Sequence, residues 1–331
     1  MKLASLKGPT RDGTLCVVSR DLARAVKADG IAPTMQYALE NWEAVAPRLA
    51  SAGEALADGR ERHAFDFGAA LAEGRVDAPL PRAYEWLDGS AYLTHVERVR
   101  RARNDKVPES FYKDPLMYQG GAGSMMGARD AIRVISEDWG VDLEGEVVAL
   151  IADVAMGVTP AIAAKSVRLL TLVNDVSFRR LIPAELAKGF GFVHGKGANA
   201  LAPVAVTPDE LGGAWRDGKV HLKLRCEVNG NRLGDPNAGD DATFSLFDLI
   251  AHAARTRELK AGTMIGTGTI SNQDRATGYA CLMEARLVEQ VELGEAKTPF
   301  LKFGDRVKID MRDERGVTVF GAIDQVVERY A

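Results

Sequence analysis

Cysteine is scarce in this chain. Cys16, Cys226 and Cys281 stand far apart among 331 residues and form no Cys-x-x-Cys pair. That argues against a disulfide framework and a structural zinc site, and it points to a reducing compartment. A dominant charge sign is also lacking: the formal net charge is −4, with acids and bases interspersed. Such a balance gives neither nucleic acid nor an anionic membrane an electrostatic footprint. The best apolar run, residues 147–158, is interrupted by Asp153 and is too short to span a bilayer. The first seven residues have nothing resembling a signal peptide, so a cytoplasmic location is expected. Several catalytic signatures are missing as well. Residues 121–126 lack the third glycine of a dinucleotide loop, and Phe190 and Gly197 break a P-loop around Lys196. There is no Gly-x-Ser-x-Gly elbow and no His-Glu-x-x-His helix.

What is present is a core. Hydrophobic residues make up 46% of the chain, enough to bury a large interior. Leu15 to Ser19 reads as a strand after the turn Arg11-Asp12-Gly13, and Leu39, Trp42 and Val45 then recur at helical spacing until Pro47 breaks the run. Two prolines in Asp77-Ala78-Pro79-Leu80-Pro81 predict a linker, dividing a small α+β N-terminal domain, 1–78, from a larger domain, 79–331. The larger part reads as mainly β with some α. Val220, Leu222, Leu224, Cys226 and Val228 alternate up to an Asn229-Gly230 turn. Val307, Ile309 and Met311 alternate likewise, as do Val317 and Val319 beyond Arg315-Gly316. One amphipathic helix is expected over 243–260, stopped by Gly262. No repeat and no regular βαβ alternation appears, so a mixed β-roll or sandwich is expected rather than a Rossmann domain.

Carboxylates carry the chemical signal. In Glu144-Gly145-Glu146, running into Val147-Val148-Ala149-Leu150-Ile151, the two acids project to one face of a strand. Asp175 closes a second apolar run, 169–177. Each has an ordinary alternative, a solvated strand end or a turn cap. Carboxylates that lose hydration together need a cation or a shared proton, and without thiolate or clustered imidazole the donor set suits Mg²⁺, Mn²⁺ or Ca²⁺. Histidine is rare. His221 and His252 read as structural, and His95 alone, seven residues after Asp88, reads more readily as a surface histidine than a catalyst.

Taken in order, Asp88, Glu144-Gly145-Glu146 and Asn174-Asp175-Val176-Ser177 resemble the metal-binding Asp, Glu-x-Glu and Asn-Asp-x-Ser elements of the fumarylacetoacetate hydrolase family. The resemblance extends over about 80–327, and residues 1–78 resemble a small N-terminal domain carried by some bacterial members. It implies metal ligation by Asp88, Glu144, Glu146 and Asp175. It also implies a catalytic His95 oriented by Glu284, cationic Arg179 and Lys196, and substrate contacts from Tyr118 and Thr269. Some positions depart from the pattern. Ile182 replaces a glutamine near the oxyanion, and Asn104, beside Arg103, stands where a substrate-binding arginine is expected. Arg98 replaces the Glu that pairs with the histidine in smaller members, which favours Glu284 as partner.

The expected activity is metal-dependent hydrolysis of a carbon–carbon bond in a small acidic 1,3-diketone, of fumarylacetoacetate or acylpyruvate type, in tyrosine or aromatic-compound catabolism. The cofactor would be Mg²⁺, or Mn²⁺ or Ca²⁺, and the family implies a homodimer. Two alternatives stay open. The same fold and carboxylates host oxaloacetate decarboxylases or tautomerases and 2-keto-pentenoate hydratase-like enzymes. A binding module with a structural calcium site is the other.

Overall fold

The structure, a computed structural model, describes residues 1–101 and 107–331. Its frame is a large sheet of eleven strands. From one edge the order is Phe65–Asp66, Arg24–Lys27, Thr14–Val18, Lys2–Leu6, Ala205–Val206, Val167–Asn174, Gly145–Ile151, Met264–Gly266, Trp86–Gly89 and Met117–Gly120. Ala200–Leu201 also pairs with the 167–174 strand. The 264–266 and 86–89 strands run parallel, and the other pairs are antiparallel.

The central strands are buried on both faces. Val147, Ala149, Ile151, Leu170 and Leu172 point into one core, while Val148, Leu150, Leu169 and Val173 point into the other. Two buried faces explain why these segments are apolar throughout rather than alternating. A polar side chain at such a strand's end leaves water whichever way it points.

The N-terminal strands extend this same sheet, because Lys2 and Leu3 pair with Val206 and Ala205. The expected linker is packed rather than exposed: Ala78, Pro79, Leu80 and Pro81 are buried. Its carbonyls are used, with Ser5 Oγ donating to Pro79 O at 2.7 Å and Met125 N to Pro81 O at 2.8 Å. The strand Thr14–Val18 matches the sequence reading, and Leu39, Trp42 and Val45 are helical as expected, in the helices Met35–Glu40 and Trp42–Ala57. Thr34 caps the helix Met35–Glu40 through the Tyr37 amide. Pro47 does not break the run, since it lies inside the helix Trp42–Ala57. Pro47 and Glu43 are both exposed, so water can serve the carbonyl that the missing N–H leaves unpaired.

A second sheet orders Asn231–Gly234, Leu224–Val228, Arg306–Met311, Ile323–Arg329 and Ile132–Val134. Asn229 (φ 53°) and Gly230 (φ 78°) both take left-handed conformations, making the expected hairpin turn. The alternation from Val220 to Val228 is divided between two strands, because Lys219–Val220 pairs with Trp215–Arg216 instead. Val317 and Val319 flank a single bridge, Arg312 to Thr318, not a strand. The helix expected over 243–260 is shorter, Leu246–Ala253; a Ser245–Asp248 capping box starts it, and the chain turns away after Ala254. The result is a mixed α/β architecture, mostly sheet. No helix among the described residues is long and apolar enough to cross a membrane.

Candidate active site

The acidic residues converge at one end of the large sheet. Asp88 is the last residue but one of the 86–89 strand, Glu146 the second of the 145–151 strand, and Asp175 follows the 167–174 strand. Between the first two runs the 264–266 strand, with Gly266 paired to both Asp88 and Val148. A Cβ on Gly266 would lie 2.4 Å from Asp88 Oδ1, so the absent side chain is what lets the acids approach. Carboxylate oxygens of Asp88, Glu146 and Asp175 all lie within 4.8 Å of one another.

Both oxygens of Glu146 and Oδ1 of Asp175 are buried without a hydrogen-bond partner. Leaving such groups unpaired is costly, so a proton or a cation must offset them. Burial, reinforced by the charge of Asp175, raises Asp88 to about 8. Burial and the charges of Asp88 and Asp175 push Glu146 well above the usual range. Three hard, converging oxygen donors with orphaned lone pairs fit a divalent cation that prefers oxygen.

Glu144 sits beside this trio rather than within it. Its Oε1 accepts from Arg179 Nη2 at 2.6 Å, and its Oε2 from Lys196 Nζ at 2.5 Å and from Ser177 Oγ at 3.2 Å. Burial alone would raise Glu144, but the charges of Arg179 and Lys196 outweigh it and hold the carboxyl well below its ordinary value. Lys196 also donates to Asp175 Oδ2, bridging Glu144 to the trio. Arg179 spans Glu144 and the buried Asp142, whose Oδ1 and Oδ2 accept from the amides of Leu282 and Met283. Asn174 pins the turn by accepting from the Glu144 amide at 3.1 Å.

Tyr118, opposite Asp88 in the next strand, donates to Asp175 Oδ2 at 2.7 Å. The 267–271 segment crosses the same strand ends. Gly268 N donates to Asp88 Oδ1 at 3.0 Å and Ile270 N to Gly145 O at 3.2 Å, with Thr269 buried between them.

His95 lies on the helix Leu93–Arg101, not loose on the surface. Its Nδ1 is 2.7 Å from Glu284 Oε2, which leaves Nε2 available for proton transfer. Glu284 is the third residue of the helix Leu282–Leu293 and is fully buried. Burial would raise its carboxyl, but the bond and charge of His95, with Arg98, hold it below its ordinary value.

The structure thus places Asp88, Glu146, Asp175 and Tyr118 in one group with Glu144, Arg179 and Lys196 beside it, pairs His95 with Glu284, and buries Thr269 in the segment whose Gly268 bonds Asp88. Sequence reading missed Asp142, which lies in the short strand Val141–Asp142; nothing near it in sequence signals the helix Leu282–Leu293 whose first amides it accepts from. Ser271 was within reach, since it follows Thr269 by two and bonds to Glu284. Ile182 opens the helix Ile182–Leu186 and lies close to Gly195. Arg103 and Asn104 lie outside the described residues.

One end of the sheet thus carries a buried carboxylate trio of the kind that can hold a metal ion, and a histidine–carboxylate pair. The chain belongs to the fumarylacetoacetate hydrolase family: residues 85–328 match the family model for the fumarylacetoacetate (FAA) hydrolase C-terminal region, and residues 1–82 match fumarylacetoacetase N-terminal domain 2. It is 28% identical over 181 residues to an uncharacterized protein of Archaeoglobus fulgidus, across 55% of this chain and 65% of that one, less than two thirds of the relative's length. It is 26% identical over 247 residues to the oxaloacetate tautomerase YisK of Bacillus subtilis, across 72% of this chain and 70% of that protein. Among solved structures, a putative HpcE protein from Mycobacterium smegmatis superposes with a TM-score of 0.69 at 21% identity, covering 100% of both chains. Maleylpyruvate hydrolase from Sphingobium sp. SYK-6, in complex with manganese(II) ion and pyruvate, superposes at 0.67 with 16% identity, again over 100% of both.

Proposed function

We propose that this enzyme hydrolyses a carbon–carbon bond in a 1,3-diketo acid of fumarylacetoacetate or acylpyruvate type. The observation that carries the reading is the His95–Glu284 pair, 2.7 Å apart, with the carboxylate sealed from solvent beside the trio of acids. A base kept oriented and recharged in this way suits a reaction that must take a proton from water and return it.

Asp88, Glu146 and Asp175 would hold Mg²⁺ or Mn²⁺, and Glu144 would join them as a fourth donor only on giving up its bond from Lys196; a divalent cation, when bound, polarises the dicarbonyl and offsets negative charge. The relative in complex with manganese(II) ion supports such a cation here. His95 Nε2 takes a proton from water, and the hydroxide adds to the carbonyl carbon; a positioned base of this kind is worth ~10²–10⁴-fold. Lys196, 5.1 Å over the Tyr118 ring, and Arg179, which also fixes Glu144, would stabilise the developing oxyanion. When the carbon–carbon bond breaks, its electron pair stays with the departing carbon, which recovers the proton from His95. The products are two acids. Tyr118 and Thr269 line the substrate's side of the site.

A second reading is oxaloacetate tautomerisation, favoured by the similarity to YisK. It moves a proton between carbon and oxygen and adds no water. Assembly as a homodimer, a cytoplasmic location, a role in aromatic-compound catabolism, and the division into domains 1–78 and 79–331 complete the proposal. The deciding experiment incubates the Mn²⁺-loaded protein with acylpyruvates, fumarylacetoacetate and enol-oxaloacetate in ¹⁸O-water. Hydrolysis places one label in a product carboxylate. Absence of label, with rapid loss of the oxaloacetate enol, rejects hydrolysis in favour of the tautomerase.

A further inference from the structure

Arg98 follows His95 by three residues on the 93–101 helix, so the two side chains leave the same face. They grip one carboxylate from its two ends. His95 Nδ1 is 2.7 Å from Glu284 Oε2, and Arg98 Nη1 donates to Glu284 Oε1. Ser271 Oγ donates to the same Oε1 at 2.8 Å while accepting from Arg98 Nη1 at 3.1 Å. The other arm of the guanidinium, Nη2, donates to the backbone oxygen of Asn272 at 2.7 Å and of Gln273 at 3.3 Å. Arg98 is only 13% exposed and Glu284 not at all, so little water competes for these bonds.

Each bond has a physical consequence. A carboxylate held at one oxygen can rotate about its last torsion, and the imidazole it holds turns with it. A planar guanidinium that donates Nη1 to the second oxygen, and is itself anchored through Nη2 on the Asn272 and Gln273 carbonyls, fixes the plane. A fully buried carboxylate also needs a compensating cation to remain ionised, and His95 cannot be that cation while it acts as a neutral base.

We propose that Arg98 is a positioning residue: it keeps Glu284 ionised and in one plane, reserving Oε2 for His95 Nδ1, and it ties the helix that carries His95 to the 271–273 segment after Thr269. A substituted Arg98 would leave the base attached to a carboxylate that can turn or take up a proton. The loss would then fall on the proton-transfer step, not on the cation site. The kinetic part rests on the acid–base reading above; the geometric part does not.

The test uses the full chain, labelled with ¹⁵N-histidine and free of metal, in which the His95 Nδ1 proton gives a low-field signal identified by its loss in His95→Gln. In Arg98→Met that signal is expected to disappear into exchange with water. With the Mn²⁺-loaded enzyme and an acylpyruvate, kcat should fall about 10–100-fold with little change in KM or in Mn²⁺ affinity. Arg98→Lys, which keeps the charge but loses the fork, should recover part of both. A low-field signal intact in Arg98→Met, absence of such a signal in the wild type, or a kcat unchanged by the substitution would overturn the proposal. So would a fall in thermal stability with the His95 signal in place, the pattern of a merely structural arginine. If Arg98→Met does not fold, Arg98→Lys decides alone, and wild-type signal and kcat in that variant reject the proposal. If the wild-type enzyme turns over none of the substrates, the functional reading fails, and the proton signal still decides on Arg98.

Discussion

Gly266 pairs with Asp88 across a parallel junction of the large sheet, and a Cβ on Gly266 would meet Asp88 Oδ1 at 2.4 Å and the Trp86 ring at 2.3 Å. The carboxylate trio therefore depends on an empty position in the strand that separates its members. Gly266→Ala must displace either a fully buried tryptophan or the carboxylate itself. Overpacking of this sort costs about 1–3 kcal/mol. The expected result is a lower melting temperature together with weaker Mn²⁺ binding, measured by thermal unfolding and calorimetric titration. A stable Gly266→Ala protein with wild-type Mn²⁺ affinity would show that the trio does not need this gap.

The metal-free protein should become less stable as pH rises from about 5 to 8. Burial, with the charge of Asp175, raises Asp88 from 3.8 to about 8, and Glu146 is also raised. A carboxyl with a raised folded-state pKa makes the folded chain bind more protons than the unfolded one, so its stabilising contribution is full below the unfolded value and fades as pH climbs through the folded value. Glu144 and Glu284 shift the other way, but their contribution grows only until the unfolded carboxyls, with an ordinary value of 4.5, have ionised, so they add little slope above pH 5. Urea midpoints at pH 5 and pH 8 measure the effect. Saturating Mn²⁺ should flatten the slope, since a bound cation replaces the protons. A metal-free midpoint that rises with pH across this range contradicts the arrangement.

How much of this was legible beforehand differs from residue to residue. The Glu-x-Glu and Asn-Asp-x-Ser segments stood out because charged residues at the ends of long apolar runs violate the pattern of a doubly buried strand. The alternation of Val307, Ile309 and Met311 was equally plain, because the other face of that strand carries the charged Arg306, Lys308 and Asp310. The division of labour between Glu144 and Glu146 was not legible. Period-two spacing puts both on one face, but pairing of Glu144 with Cys281, rather than within the 145–151 strand, directs it towards Arg179 and Lys196. The packed state of residues 78–81 was hidden for a different reason: prolines disfavour regular structure without saying whether the segment is buried.

Lys196 is the cation that couples Glu144 to Asp175, and its removal leaves two buried carboxylates facing each other. Breaking a buried pair from one side costs on the order of 3–5 kcal/mol. Lys196→Met is therefore expected to lower the melting temperature of the metal-free protein sharply. The gain in melting temperature on adding Mn²⁺ should exceed that of the wild type, because the cation now meets uncompensated charge. Equal gains in both proteins would place Lys196 outside the electrostatic reach of the cation site.

Glu284→Gln isolates the base from the cation site, and the direction of the amide can be argued from the contacts. Arg98 Nη1 and Ser271 Oγ both donate to Oε1, so the amide oxygen must take that place and its NH₂ must take the place of Oε2. The NH₂ then donates to His95 Nδ1, which has to accept and can no longer carry a proton. The neutral imidazole is forced to hold its proton on Nε2, the atom that should be free to receive one. An isosteric amide in the corresponding place of other histidine–carboxylate pairs lowers kcat by ~10⁴ through this wrong tautomer. A loss on the order of 10²–10⁴ in kcat is expected here, with Mn²⁺ affinity near wild type because no oxygen of Glu284 belongs to the trio. The ¹⁵N shifts of His95 should report the exchange of protonated and unprotonated nitrogens in the variant. If Mn²⁺ affinity collapses instead, Glu284 serves the cation, and if kcat stays within a few-fold of wild type, His95 does not act as the base.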